Sequence, residues 1–419
     1  MTVDYDPRLP EVIADPFPVF QELREQAPLY RSSVLGGWVL TRYDDVKLAI
    51  SDRRFSADRM RPFFAQLPVS SQTAYATLRD SISRWAVFHD PPEHTRLRGL
   101  MNKAFTARAI ERLEPRISSL IDGLLDQVVD RGEMDLIADL AYPLPASVIL
   151  DMLGLPCDDL DRIKVWSDEL ALFVGSSVNT PDKYQRATDS ITAMNEYFRA
   201  AIQRRRHTPG DDLLTALLAA QEQGDLLSDD DLVATCVLLV FAGHETTTNL
   251  IGNGILALLR HPVELARLRN DPGLMPFAVE ELLRFDGPAA TAVRIATEEI
   301  LLHGQTIRPG ERVFAMLNAA NRDPRQFANP ESLDIARKEN RHLAFGQGIH
   351  FCIGAPLARM EAKLAITAIL QRCPNLALRS MPLNWSNSLV LRGVQSLPVS
   401  FIKQASTEGS ASLEQGMAG

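Results

Sequence analysis

A chain of 419 residues with 46% hydrophobic content can bury a large core, and a formal net charge of -9 argues against a nucleic-acid binder, which would carry a basic field. The four cysteines, at 157, 236, 352 and 373, contain no Cys-x-x-Cys pair and are too sparse for a disulfide scaffold, so a reducing, cytoplasmic compartment is expected. Residues 1–7 hold no basic segment followed by an apolar one, so neither export nor an N-terminal membrane anchor is expected.

Asp15-Pro16-Phe17-Pro18 leads into an amphipathic helix predicted over 19–26. Alternation takes over at 28–30 and 38–41 around Gly36-Gly37, which reads as a hairpin, and helical spacing returns over 44–51. A small sheet lobe therefore precedes a mainly helical body. Residues 60–88 are irregular, with Phe63, Phe64, Val87 and Phe88 among polar neighbours. A loop of that length often covers a functional cavity, although ordinary packing explains the same residues.

Asp90-Pro91-Pro92-Glu93 is a helix-start signal that sets His94 and Arg98 four apart on one face, where two cationic donors can clamp a carboxylate. A solvated basic face is the plainer reading. Helical spacing recurs over 107–125, 140–152, 161–173 and 182–205, and the last two stretches are joined by a Gly/Ser/Asn-rich connection at 174–181. Two surface helices with a loose hinge suit a lid, or a plain helix pair.

Ser228, followed by Asp229, Asp230 and Asp231, caps a helix predicted to run to Arg260, where His261-Pro262 stops it. At 1.5 Å per residue its roughly thirty residues span about 45 Å, the width of a domain. Its apolar run over 232–243 is too short to cross a bilayer before meeting His244-Glu245-Thr246-Thr247-Thr248-Asn249. A hydroxyl residue there can bond the carbonyl four back and locally open the helix, which Gly243 would ease, leaving a groove for a ligand and water.

Glu281 and Arg284 stand three apart on a helix predicted over 276–285, a spacing that by itself describes an ordinary surface ion pair. Extended segments follow at 289–293 and at 307–316, the latter containing the turn dipeptide Pro309-Gly310, and both are expected to rejoin the N-terminal sheet. Residues 389–399 are again extended. No internal repeat or long linker divides the chain, so residues 1–403 are expected to form one catalytic unit, with 404–419 a polar, disordered tail.

The stretch Phe345-Gly346-Gln347-Gly348-Ile349-His350-Phe351-Cys352-Ile353-Gly354 places one cysteine in a glycine-punctuated turn. Glycines let backbone amides approach the sulfur, and Pro356 suits the first turn of the helix predicted over 355–370. Cys352 therefore sits at a helix N-terminus, which favours negative charge, and reads as a metal ligand. Cys157, Cys236 and Cys373 have no such context and read as small hydrophobes.

This decapeptide resembles the haem-binding signature of the cytochromes P450, matching at Phe345, Gly346, His350, Cys352 and Gly354. The resemblance implies haem b with Cys352 as the axial thiolate, a ligand that favours O–O cleavage. It implies the mainly α cytochrome P450 fold with a small β lobe. His94, Arg98, Arg294 and His350 are then donors to the haem propionates. Ala242-Gly243-His244-Glu245-Thr246 is similar to the family's oxygen-activation motif, so Ala242 and Gly243 border the haem, Thr246 bonds dioxygen and Glu245 relays protons. Glu281 and Arg284 resemble the family's buried Glu-x-x-Arg lock. The family completes that lock with an arginine where this chain has Ser332, and Arg337 is the candidate replacement. By the same resemblance the substrate pocket is expected to draw on Phe63, Phe64, Val87, Phe88, Phe173, Phe241, Ala289, Ala290, Ala292, Val293 and Val394.

The implied activity is insertion of one oxygen atom of O₂ into a C–H or double bond of a hydrophobic small molecule, by a monomer of the soluble bacterial type. No Gly-x-Gly-x-x-Gly fingerprint or cysteine cluster is present, so electrons are expected from a separate ferredoxin and ferredoxin reductase. Lys103, Arg108, Arg112, Arg359 and Lys363 form a candidate docking patch. Two rivals are a peroxide-driven haem-thiolate peroxygenase and a haem sensor without turnover; the Glu245 and Thr246 pair speaks against both.

Overall fold

A computed structural model describes residues 3–176, 180–222, 228–379 and 381–403. The expected tail at 404–419 and part of the expected hinge, residues 177–179, lie outside the described residues.

The organising element is the helix Asp229–Arg260, 32 residues and hence about 48 Å long. Ser228 starts it with a reciprocal cap: its hydroxyl accepts from Asp231 N at 3.1 Å, while the Asp231 carboxylate accepts from Ser228 N at 3.2 Å. Apolar residues surround its first half, Leu232 to Phe241, so it is buried on nearly every side, as a helix without a polar face must be. It runs without the local opening expected at Gly243. The Thr246 hydroxyl does bond the Ala242 carbonyl, at 3.0 Å, but it adds to the helix without parting it.

Around this axis pack Pro143–Met152, Leu160–Val174 and Lys183–His207 on one side, and Met275–Asp286 and Ala355–Arg372 on the other. The two joined surface helices begin and end within about two residues of expectation. The stretch 107–125 is split into Ala107–Glu111 and Glu114–Asp126, because Pro115 opens a new helix.

The main sheet has five strands in the order Leu29–Ser32, Gly37–Leu40, Arg312–Met316, Thr291–Ala296 and Phe55–Ser56. Gly37–Leu40 and Arg312–Met316 run parallel and the other neighbours antiparallel, so N-terminal and C-terminal segments join as expected. Gly37 is required at the parallel seam, since a methyl group there would lie 2.7 Å from the Arg312 carbonyl oxygen. A smaller sheet joins Glu133–Asp135, Pro398–Ser400 and Ala377–Leu378.

Residues 60–88 are more ordered than expected. They form short helices at Met60–Ala65, Val69–Ala74 and Ala76–Ile82 and a tight turn at Ala86–Phe88. None of the three helices has a side-chain N-cap; burial of Phe64, Leu78 and Trp85 holds them in place. Among the described residues no helix is long and apolar enough to cross a membrane.

Candidate active site

A cavity of about 340 Å³ separates the middle of the central helix from the cysteine loop. Ala242, Gly243, Thr246 and Thr247 form one wall, and Phe345, Gly346, Cys352 and Gly354 the other. Ala242 is exposed although its helix lies in the core, which marks the open face of that helix.

The loop is shaped by Gly346 and Gly348, with φ of +69° and +70°, a left-handed conformation that side chains resist. It folds back so that Cys352 N donates to the Phe345 carbonyl at 2.9 Å. Gly354 then caps the helix Ala355–Arg372, which has proline in its first turn. Burial pushes the Cys352 thiol up, while the amides of Gly354 and Ala355 and the guanidiniums of Arg98 and Arg359 pull the other way. Such a sulfur gains most from becoming a metal-bound thiolate.

One end of the cavity collects donors. His94 is buried on the helix Glu93–Ala104, its ring centroid 4.4 Å from that of His350. His94 Nδ1 and His350 Nε2 are buried without partners. Burial, with Arg294 and His94 nearby, lowers His350 to about 3, and burial and Arg98 lower His94, so both rings are neutral near pH 7. Arg98 and Arg294 line the same end. Arg98 donates to the Phe351 carbonyl at 2.7 Å, and Arg294 to the carbonyl of Val293 at 3.0 Å. Burial lowers Arg294 to about 10, offset by Asp90, whose own carboxylate is held by the Ser56 hydroxyl and Ala57 N.

These residues fit haem. Two guanidiniums and two orphaned imidazole nitrogens match the charge and acceptors of two propionates, a half-buried thiol faces a wall of small residues, and Ala242 and Gly243 leave that wall clear.

Above this plane the Glu245 carboxyl lies 4.0 Å from His244 Nε2. Burial raises Glu245 above the ordinary carboxyl range, against lowering influences from His244 and Lys164. His244 Nδ1 faces the Val240 carbonyl at 2.7 Å, and its Nε2 makes no hydrogen bond among the described residues. The Tyr142 hydroxyl beside it is likewise buried and unpartnered, with the two rings 5.6 Å apart.

Beneath the cavity, Glu281 is fully buried and grips Arg284 through two bonds of 2.8 Å. It also accepts from Asp334 N and Asn340 Nδ2. Arg337 Nε reaches the same carboxylate at 3.0 Å. The peptide at Ser332 contributes its carbonyl, which accepts from Arg284 at 3.1 Å, so the side chain there is not called upon.

The expected pocket residues divide. Val87, Ala289 and Ala292 line the cavity. Phe63, Phe173 and Val293 instead line a separate mouth of about 740 Å³ nearer the surface. Strand alternation explains the last case: in Thr291–Ala296, Ala292 and Arg294 face the inner cavity while Val293 and Ile295 face the mouth. Ala290 points away, toward Tyr5 and Phe20. Phe64, Phe88 and Phe241 are buried supports: Phe64 packs on Phe63, and Phe88 and Phe241 pack on Trp85. Val394 is 3% exposed and lies near Gly252, beyond Thr246 on the central helix, away from the cavity. Unexpected lining residues include Ile149, Leu238, Leu239 and Glu361. The leucines were visible only as part of an apolar run that gave no hint of which face opened.

In the expected docking patch, Arg108, Arg112 and Lys363 are exposed, and the side chain of Lys103 is not described. Arg359 is already bound to Glu280 by bonds of 2.6 and 2.9 Å.

A half-buried cysteine opposite a mid-helix acid and threonine, beside two guanidiniums and two imidazoles, fits a haem-thiolate oxygenase. Comparison with known proteins gives the family: the Cytochrome P450 model matches residues 38–272 and 273–391, and the chain belongs to that family. It is 43% identical over 414 residues to Cytochrome P450 CYP107DY1 of Priestia megaterium, covering 96% of this chain and 99% of that protein. It is 44% identical over 390 residues to Cytochrome P450 107B1 of Saccharopolyspora erythraea, covering 91% of this chain and 93% of that protein. The crystal structure of CalO2 matches with a TM-score of 0.89 at 33% identity, over 96% of this chain and 100% of that one. The chain is a cytochrome P450 monooxygenase with a small-molecule substrate, and haem is the cofactor that its family implies.

Proposed function

We propose that this enzyme hydroxylates or epoxidises an apolar molecule of moderate size, of the terpenoid, macrolide-precursor, steroid or fatty-acid kind, in the bacterial cytoplasm and as a monomer. The observation that carries this reading is the inner cavity, where Leu238, Leu239, Ile149 and Ala292 supply an apolar lining around few polar groups.

Bound haem supplies the iron at which O₂ is activated, one oxygen atom passing to the substrate and the other leaving as water as two electrons and two protons are consumed. Cys352 would hold the iron from below, with Gly354 and Ala355 amides steadying its negative charge. His94, Arg98, Arg294 and His350 would hold the propionates. The Thr246 hydroxyl, donating to Ala242 O, keeps its lone pairs free to accept a proton from outside the helix and pass its own inward. Glu245, whose carboxyl burial raises above the ordinary range, would supply that proton from its carboxyl oxygen and be recharged from the solvent side. The apolar walls exclude bulk water from the reacting end. Electrons come from a ferredoxin docking on the cysteine side, where Arg108, Arg112 and Lys363 are exposed.

The test is a screen of such compounds for a substrate-induced shift of the Soret band, followed by product analysis with a ferredoxin and its reductase against hydrogen peroxide alone. Product from the ferredoxin system is expected. Equal turnover with peroxide, or no spectral shift with any compound, counts against the reading.

A further inference from the structure

Arg59 lines the mouth, and its partners among the described residues are neutral. It stands at the inner end of the mouth cavity, where Phe63, Phe173 and Tyr184 form an aromatic wall. Its guanidinium donates to the Val174 carbonyl at 3.1 Å and lies 5.1 Å from the centre of the Phe88 ring. Among the described residues it makes no ion pair. Its sequence neighbour Asp58 pairs with Arg61 at 2.7 Å. Glu311, also in the mouth, is occupied by Arg31 at 3.3 Å, Trp38 Nε1 at 2.7 Å and Arg308 N at 2.8 Å.

The haem does not call on this charge. Its two propionates are matched by Arg98 and Arg294, which line the inner cavity, whereas Arg59 lines the mouth. Burial and the nearby Arg294 together lower Arg59 to about 10, so the side chain stays cationic at neutral pH. Arg59 is half-buried, and an incoming anion would offset the charge it withdraws from water. Arg312, on the rim, adds to the positive field.

We propose that Arg59 anchors the carboxylate of an amphipathic acid, whose apolar remainder extends past Val87 and Ala292 into the cavity below Thr246. The substrate class is thereby narrowed to hydrophobic carboxylic acids. This deepens the oxygenation reading of the same cavity and rests on it.

The test is a spectral titration of the haem-loaded enzyme with dodecanoic, tetradecanoic and hexadecanoic acids, each beside its methyl ester and the alcohol of the same length. The wild type is expected to bind acids about tenfold more tightly than esters, the value of one charge-assisted hydrogen bond. R59Q should bring the acids to the level of the esters without moving the esters, and R59K should restore part of the difference. An unchanged carbon monoxide spectrum in R59Q shows that the haem and its surroundings are intact. Acids and esters binding alike to the wild type, R59Q weakening both alike, or no shift with any acid would each overturn the proposal. A shift with uncharged compounds alone would overturn it and leave the oxygenation reading standing, whereas loss of the carbon monoxide band from the wild type would remove both.

Discussion

Arg337 Nε donates to Glu281 Oε2 at 3.0 Å, so one fully buried carboxylate receives two guanidiniums, the other from Arg284. Ser332 stands where the family carries its third member, and the cation arrives five residues later in the chain. Removing it would leave the Glu281–Arg284 pair with a carboxylate oxygen short of one donor. R337Q should destabilise the protein by about 3 kcal/mol, as loss of one partner from a buried ion pair does, read as a lower urea midpoint. S332A should be neutral, since only the Ser332 carbonyl takes part. A large loss in S332A, or none in R337Q, would show that the lock is built otherwise.

Replacing the sulfur tests the cofactor assignment. C352S is expected to abolish the red-shifted carbon monoxide band of the reduced protein. If Arg98 holds a propionate as proposed, R98Q should keep the sulfur but speed haem loss to an acceptor protein about tenfold while preserving the band.

Glu245 gives the relay a pH dependence. Burial raises its carboxyl, so the proton-donating form persists to higher pH than in an exposed glutamate, and the rate should fall as pH rises through that raised value. Among the opposing influences His244 is the largest. H244F should therefore move the falling limb of the pH profile to higher pH. E245Q should lower turnover about 100-fold, and T246A should divert electrons to hydrogen peroxide. A pH profile unmoved in H244F would detach His244 from the acid.

Glu361 provides a stability test away from turnover. It is 1% exposed, one of its carboxyl oxygens has no partner, and burial pushes the carboxyl up to about 8. The folded protein keeps this proton up to about pH 8, whereas the unfolded chain releases it above the ordinary glutamate value of 4.5. The contribution is whole below the unfolded value and declines as pH rises toward 8, by about 1.4 kcal/mol per pH unit. E361Q cannot titrate, so it should lose less stability than wild type between pH 6 and pH 8 in urea unfolding. Equal losses in the two proteins would show that Glu361 is ionised in the fold.

Local signals account for what was legible in advance. Ser228 and three aspartates announced the central helix, and the structure supplies the matching reciprocal cap. Glycine spacing announced the turn at Cys352, because positive φ at Gly346 and Gly348 has few other solutions. The helix start before His94 put His94 and Arg98 on one face, and both line the inner cavity. What failed depended on distant packing. Residues 60–88 carry no caps, so their helices are fixed by the burial of Phe64, Leu78 and Trp85 against other elements. Val293 is expected in the pocket by resemblance, but the pleat turns it away from its neighbour Ala292, and Ala290, just before the strand, lines a different cavity. Val394 was taken from an extended segment whose side chain packs beside Gly252. Glu361 looks like any polar residue between Met360 and Ala362, and only the tertiary fold encloses it.

The strand Thr291–Ala296 works as a partition wall with a room on either side. Because its odd and even positions open onto different rooms, substitutions at Val293 or Ile295 would act on the outer one and substitutions at Ala292 on the inner one. A shift of one residue in its pairing would exchange the two sets, so the register with Arg312–Met316 fixes both linings at once.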